Sequence, residues 1–550
     1  MGRIFSFDVF DTCLCRLCGD PHLVYDVLSL KIQQNLGTCW SETMRQMFVA
    51  ARAESGGRSL DEIYNNMACR FPLPYSPQKM VELELKTEQQ MLLPIVDTRK
   101  LVDRLRKKGS ILFISDMYLP SNFIRERLTE YGFFKDGDQI FVSDELGAWK
   151  RDGSLYRLVR KQTGSSWRMW HHYGDNRYSD FLIPRRLGIH AHYLYYGHLP
   201  YEGKWYSSPT VQYPHQSILA GVARAMRLSN NGPDDQKAFV CDISAPLMTA
   251  WVVSILEDCL RNRTKKIFFC ARDTHSEYII AKALSGIDAK YSQLDIHYLL
   301  VSTKSINDKL CLDFFIQEGL ASKEDDVAIV DSRGRSYFIN NVNNLLIQNG
   351  YRKAKPYMLQ LCPSHCDDQT MVACANETTI VHNILYSQST SNRATAIRDI
   401  GWLIENILSL NHNGKTIGYN DIDGRIVPVF TTDKPEIVAN DIENLKKQQD
   451  DILSKYAQSC LACGLATAHN ILDTVIVPTL TDFSTTPRKE YLSYLTRVSI
   501  YGKRCTYVHN TFRYLTEKGG RWQKGCIFYT FPRPIAIVAS KIYDKLAKNK

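Results

Sequence analysis

The sequence predicts an α/β fold built from parallel sheets, and three observations carry that expectation. Short apolar runs that end in polar turns recur at residues 4–7, 111–114, 139–142 and 170–173, as buried strands require. Segments of helical period lie between them, the alternation that places helices on both faces of a parallel sheet. The alternation restarts near residue 238, and 550 residues are too many for one hydrophobic core, so two or three domains are expected.

The first domain is expected over residues 1–200. Between about residues 20 and 100 the period changes. There "DPHLVYDVLSLKIQQNL" and "SPQKMVELELKTEQQMLLPIV" read as helices, so a helical block is inserted after the first strand. Residues 201–237 are turn-rich and read as a linker. The second α/β domain, 238–433, opens on the helix "PLMTAWVVSILEDCL". In it "KKIFFCARD", "IHYLLVST" and "DVAIVDSRG" read as strands ending in polar loops. Helical segments are expected from there to about residue 410, and "GKTIGYNDIDGRIVPVF" reads as a hairpin. Residues 434–550 read as mostly helical.

A hydrophobic fraction of 44% with 23% charged residues excludes disordered and fibrous classes. No run of about 18 uncharged apolar residues occurs, so no transmembrane helix is expected. The apolar run at 4–7 is too short for a signal peptide and ends at Asp8. The sixteen cysteines lack framework spacing and read as reduced thiols, so a cytoplasmic location is expected. Cys13, Cys15 and Cys18, and the pair Cys460 and Cys463, read as buried small residues before they read as metal ligands. Residues 488–550 hold 14 Lys and Arg against three acids, Glu490, Glu517 and Asp544, so this aromatic-rich tail carries essentially the whole net charge of +10. Such a tail suits an anionic polymer, nucleic acid or a membrane surface, or is simply a solvated basic helix; a peripheral position at the inner face of the membrane follows from the membrane case.

Five groups fall at the carboxyl ends of expected strands: Asp8, Ser115, Lys150, Asp175 and Asp180. In an open α/β sheet that edge binds ligands, so strand ends distant in sequence converge there. Taken singly, Asp175 and Asp180 are also what an acidic turn and a helix cap would show, and Ser115 what an N-cap would show. The order of Asp8 with Thr12, then Ser115, then Lys150, then Gly174-Asp175 with Asp180 resembles the four motifs of the haloacid dehalogenase-like (HAD) hydrolase superfamily over about residues 1–200. The resemblance implies a Rossmann-like domain with a helical cap at 20–100. It implies Asp8 as nucleophile through an aspartyl phosphate, and Mg²⁺ held by Asp8, Asp175, Asp180 and the Phe10 carbonyl. It implies Lys150 as the neutralising cation and Ser115 as a hydrogen-bond donor to phosphoryl oxygens. Thr12, Asp116 and Asn176 adjoin these groups and are candidates for substrate binding.

One position departs from that pattern. Most phosphatases of the superfamily carry a second aspartate two residues after the nucleophile, as acid/base on the leaving oxygen. Here that position is Phe10, and Asp11 follows it. Haloacid dehalogenases also carry an aromatic there, but Lys150, Asp175 and Asp180 favour metal-using phosphatase chemistry. Asp11 is left either as acid/base or as a loop-orienting group. "FDVFDT", "SDMYLP" and "GDNRYSD" together are similar to a narrower bacterial branch, often fused to a second domain and found with surface-polysaccharide synthesis enzymes.

In the second half, "IFFCARDTHSEYIIAKAL" with Arg272 and Asp273, Lys304 in "VSTKS", and Asp331, Ser332, Arg333, Gly334, Arg335 and Ser336 are candidates for phosphate binding at a helix N-terminus. This part is loosely similar to phosphoribosyltransferases, which implies phosphoribosyl diphosphate as a ligand. His275 reads as a loop residue. The leading expectation is a Mg²⁺ phosphatase acting on a phosphorylated sugar or sugar-polymer end, fused to a sugar transferase. The alternatives are a nucleic-acid end-processing phosphatase and a binding or regulatory protein on a HAD scaffold.

Overall fold

A computed structural model of the chain describes residues 2–18, 21, 23–36, 46–47, 50–51, 54, 59–194, 196, 214–331, 336–360, 381–383, 414–431, 437–438, 441–465, 474–475, 477–497, 499–500, 503–504, 527–528 and 531–548. The chain divides into two compact units, Met1–Asn231 with Ala462–Leu465, and Gly232–Leu461 with Ala466–Lys550.

Unit 1 is built on a five-stranded parallel sheet. Its strands are β1 (Arg3–Phe7), β4 (Gly109–Ser115), β5 (Gln139–Val142), β6 (Trp170–Gly174) and β7 (His190–Tyr193), in the order β5-β4-β1-β6-β7. Both faces are covered, so alternate residues enter different cores. Phe5, Phe7, Ile111 and Phe113 join one cluster, while Ile4, Leu112 and Ile114 join the other around Trp170. The strand order reverses between β1 and β6, which makes the gap above their carboxyl ends the ligand-binding crevice of such a sheet.

The expected helical insertion is present. It leaves the sheet through β2 (Leu14–Arg16), runs through α1 (Leu23–Leu36), α2 (Leu60–Arg70) and α3 (Pro77–Met91), and returns through β3 (Leu92–Pro94), which pairs antiparallel with β2. Ser59 and Ser76 cap α2 and α3 by accepting from the N–H groups of Glu62 and Lys79. Helices α4 (Val96–Arg106), α5 (Ser121–Glu130) and α6 (Ser154–Thr163) belong to the sheet crossovers. The stretch read as a linker differs from that expectation. Residues Pro214–Ser229 form helix α7, which packs on β2 and β3, and unit 1 extends to residue 231. Residues 219–227 are buried without a break, so this is an enclosed helix with no solvent face, and the Pro and Gly punctuation flanks it instead of replacing it.

Unit 2 contains a second five-stranded parallel sheet: β8 (Lys266–Cys270), β9 (Asp295–Leu299), β10 (Val327–Asp331), β11 (Lys355–Gln360) and β12 (Val381–Asn383), ordered β12-β11-β10-β8-β9. This is a doubly wound order whose switch point lies between β8 and β10. Helix α8 (Ala245–Arg261) is the end of a continuous helical run, 234–261, that is long and apolar enough to cross a membrane by length and composition; 94% of its most apolar window is buried inside the protein. The expected hairpin is β13 (Thr416–Ile422) and β14 (Arg425–Phe430), turning at Asp423 and Gly424, both at positive φ as a two-residue turn demands. Helices α9 (His275–Ser285), α10 (Ser336–Gln348), α11 (Ile442–Ala462), α12 (Lys489–Arg497) and α13 (Arg533–Lys548) complete what concerns function. Of the helical segments expected up to about residue 410, α10 is present, Lys355–Gln360 and Val381–Asn383 are strands of the parallel sheet instead, and 361–380 and 384–410 lie outside the described residues.

Candidate active site

The loop after β1 closes tightly on itself. Cys13 and Leu14 donate their N–H groups to the Val9 carbonyl, and Asp11 sits at φ 56°, a conformation that aspartate tolerates. This turn aims Asp8 across the crevice. Asp8 Oδ1 receives the Lys150 ammonium at 2.5 Å, and the same ammonium reaches Asp180 Oδ1 at 2.6 Å. Lys150 is positioned in turn by Asp116, whose carboxylate accepts the Lys150 backbone N–H at 2.9 Å. Asp180 approaches because position 174 is glycine: a Cβ there would lie 2.5 Å from the Asp180 Cβ. Asp8, Asp175 and Asp180 each offer one oxygen, and these lie within 4.8 Å of one another.

The electrostatics follow from three carboxylates sharing one ammonium. Burial, joined by Asp180 and Asp175 and opposed by Lys150, pushes Asp8 well above the usual carboxylate range. Burial and the nearby charges of Asp11 and Asp180 push Asp175 up to about 6. Asp180 runs the other way: burial opposes its charge, but Lys150 and His172 hold it well below the usual range. Burial also works against the Lys150 charge, and Asp180, Asp8 and Asp116 outweigh it and keep the ammonium protonated. A buried set of oxygen donors with negative charge in excess is what a hard divalent cation such as Mg²⁺ takes, so the residues fit that ion.

The other expected site residues make the following contacts. Thr12 is fully buried, and its hydroxyl lies 3.1 Å from Asp8 Oδ2 and 3.2 Å from Asp175 Oδ1, so it spaces the two acids. Asn176 caps the helical turn Arg177–Leu182 by accepting from the N–H groups of Tyr178 and Ser179. Asp116 orients Lys150. Ser115 is buried at the end of β4, paired in register with Val142. Asp11 is engaged from α7: Arg224 Nη1 donates to its Oδ1 at 2.8 Å. Phe10 is partly buried beneath the Arg16 guanidinium, 4.5 Å from the ring centroid, and Arg16 is bound through two nitrogens to Glu88 on α3. The aromatic at this position is therefore part of the clasp between the strand loop and the helical insertion. Cys13, Cys15 and Cys18 are buried; Cys13 donates to the Asp8 carbonyl and Cys15 to the Leu93 carbonyl.

Sequence reasoning missed His172, Tyr156, Ser6 and Arg224. His172 lies 3.2 Å from Asp180 and 3.0 Å from the Tyr156 hydroxyl, and Ser6 lies 2.7 Å from its other nitrogen. The signal was the period-2 pattern of "WHHYG", which puts Trp170, His172 and Gly174 on the buried side of β6.

In unit 2 three of the expected groups follow the two strands of the switch point. Arg272 and Asp273 follow β8, and Asp331 ends β10, buried. Ser332, Arg333, Gly334 and Arg335 lie outside the described residues, and Ser336 opens α10. Lys304 begins a short turn after β9, its N–H donating to Ser302. A cavity of about 470 Å³ lies at this edge, with Arg272, Tyr298, Thr416 and Phe430 in its wall. His275, expected as a loop residue, instead opens α9 and is held by α11: its Nε2 lies 3.0 Å from Asp450 Oδ2 and 2.7 Å from Lys446 Nζ.

No protein-family model matches the chain, and neither does any curated protein. Similar solved structures include the HAD hydrolase YfnB of Bacillus subtilis bound to magnesium, at 17% identity over 34% of this chain and 86% of that one, with a TM-score of 0.27. They include a HAD phosphatase of Thermococcus onnurineus, at 17% identity over 34% and 84%, with a TM-score of 0.26. A HAD family enzyme of Bacteroides thetaiotaomicron, in complex with magnesium and inorganic phosphate, is 14% identical over 35% and 94%, with a TM-score of 0.26.

Proposed function

We propose that unit 1 is a Mg²⁺-dependent phosphatase of the HAD type that works through an aspartyl phosphate on Asp8. The observation that carries this reading is the Lys150 ammonium between Asp8 and Asp180, with Asp175 completing the carboxylate group. A scaffold with no chemistry has no use for a buried cation shared by two acids, since burying each charge is costly.

Asp8, Asp175 and Asp180, with the Phe10 carbonyl, would hold the ion, which supplies charge neutralisation for a dianionic ester beside a carboxylate. Lys150 neutralises Asp8 and the equatorial phosphoryl oxygens. Asp8 attacks phosphorus, the ester oxygen leaves, and water then hydrolyses the acyl phosphate. Asp11 has one oxygen bound by Arg224 and is the group beside Asp175 that can take and return the proton. Thr12 keeps Asp8 and Asp175 apart.

The substrate in this reading is a phosphorylated sugar or sugar-polymer end, the chain works in the cytoplasm, and the helical insertion favours a small molecule or chain end over a folded macromolecule. Release of phosphate from a small aryl phosphate tests it. Wild type should require Mg²⁺ and Asp8→Asn should abolish turnover; full Mg²⁺-dependent activity in Asp8→Asn overturns the assignment.

A second reading concerns unit 2, because Arg272 and Asp273 follow β8 and Asp331 ends β10, the two strands of its switch point, and Arg272 also lines a cavity with Tyr298, Thr416 and Phe430. We infer that this crevice binds a phosphorylated sugar, phosphoribosyl diphosphate included, as the donor for a transferase. Calorimetric titration with phosphoribosyl diphosphate, lost in Arg272→Ala, tests it; no heat from wild type removes it.

A further inference from the structure

The final helix, α13, carries an unusual surface. Ile535, Val538 and Ile542 are 54%, 58% and 54% exposed, and Phe531, one turn earlier, is 41% exposed. Within α13 the i, i+3 and i+7 spacing of Ile535, Val538 and Ile542 places them in one stripe along a helix of 3.6 residues per turn, and Phe531 lies in the bend just before it. On the opposite side of the helix Ala536 and Ser540 are buried. The stripe therefore points outward with the helix already seated on its own fold.

Charge says what can cover it. Lys541 and Lys545 are exposed; Lys541, at i+3 from Val538, stands beside the stripe, and Lys545, at i+7, stands at its C-terminal end. Residues 531–550 hold five Lys and Arg against Asp544 alone. A second copy of the helix is disfavoured by the same positions. The 3-4 spacing continues to Lys545, so a self-paired helix would set Lys545 against its counterpart in an apolar seam. An apolar stripe edged by lysines suits a bilayer surface, where the side chains enter the acyl boundary and the ammonium groups meet anionic headgroups.

We propose that α13 docks the protein on anionic lipid surfaces, with Phe531, Ile535, Val538 and Ile542 inserted and Lys541 and Lys545 at the headgroups. This stands independently of the phosphatase reading. The experiment is co-sedimentation of the full chain with phosphatidylcholine vesicles, with and without added phosphatidylglycerol, at low and high salt. Two variants accompany it: Ile535→Ser/Val538→Ser/Ile542→Ser, and Lys541→Glu/Lys545→Glu. All five side chains are exposed, so both variants keep the fold, which circular dichroism checks. Wild type should bind the anionic vesicles only and lose binding at high salt; each variant should bind roughly tenfold more weakly or worse. Equal binding to neutral vesicles, wild-type binding by both variants, a dimer in light scattering that the triple serine variant dissociates, or retention on nucleic acid in place of vesicles would each overturn the proposal.

Discussion

His172 Nε2 lies 3.2 Å from Asp180 Oδ1, and that contact decides the tautomer of the ring. Burial keeps His172 neutral, its pKa shifted below the ordinary histidine value. An ionised Asp180 only accepts, so Nε2 carries the proton and Nδ1 is the acceptor. Ser6 Oγ, 2.7 Å away, donates to Nδ1 and itself accepts from Trp170 Nε1 at 2.7 Å. A buried chain thus runs Trp170, Ser6, His172, Asp180, Lys150, Asp8, and ends at the proposed nucleophile.

The chain predicts a metal effect without any contact to metal. His172→Phe removes the donor that aims Asp180. The Mg²⁺ concentration for half-maximal phosphate release should rise about 10–100-fold, as when an orienting partner of a ligand is lost. A Mg²⁺ activation curve unchanged from wild type would remove His172 from the site.

Lys150→Met should act on stability as well as rate. It leaves Asp8 and Asp180 buried together with no ammonium, which costs about 3–5 kcal/mol for a broken buried pair. Thermal unfolding with chelator should show the loss, and added Mg²⁺ should recover part of it, because a cation that binds only the folded state stabilises it. Phosphate release should fall about 10²–10³-fold or more.

Asp11→Asn separates the two roles left open for Asp11. As the proton carrier its loss should lower kcat about 10²–10⁴-fold with little change in KM. Arg224→Met should give a smaller fall in the same direction, since it releases Asp11 without removing it. A wild-type kcat in Asp11→Asn would make Asp11 purely a mooring for α7.

Glu84 on α3 should make stability depend on pH. It is fully buried and accepts from the Tyr64 hydroxyl at 2.5 Å; burial, against that hydrogen bond, pushes its carboxyl up to about 8 from 4.5. The folded chain thus holds the proton more tightly than the unfolded one. The contribution is complete below about pH 4.5 and is lost as pH rises toward about 8. Urea midpoints across that window should fall for wild type and stay flatter for Glu84→Gln, which remains neutral throughout.

Asp8, Lys150, Asp175 and Asp180 were legible because each follows a strand whose apolar run is unmistakable, and parallel strand ends converge by topology alone. The hairpin at 416–430 and the helical insertion were legible for similarly local reasons. Arg224 was not: it lies 213 residues from Asp11, in a helix masked by the Pro and Gly turns around it. The His275 pairing was hidden likewise, since Lys446 and Asp450 are neighbours on α11 but 171 and 175 residues from the histidine. Pairings of this kind are set by packing, and no local pattern records them.

The clasp at the root of the helical insertion has a further consequence. Leu14–Arg16 leaves and Leu92–Pro94 returns as a paired ribbon, with Leu14 opposite Pro94 and Arg16 opposite Leu92. The main sheet therefore meets fixed ends whatever lies between them, and closing a longer or shorter intervening segment changes the cost only slowly with length. The length between those ends is therefore free to vary, but the surface that meets the sheet is not: Tyr25, Leu28, Ile63 and Tyr64 of the insertion share one buried cluster with Phe5, Phe7 and Phe113, and any other segment closed by this ribbon would have to refill that core.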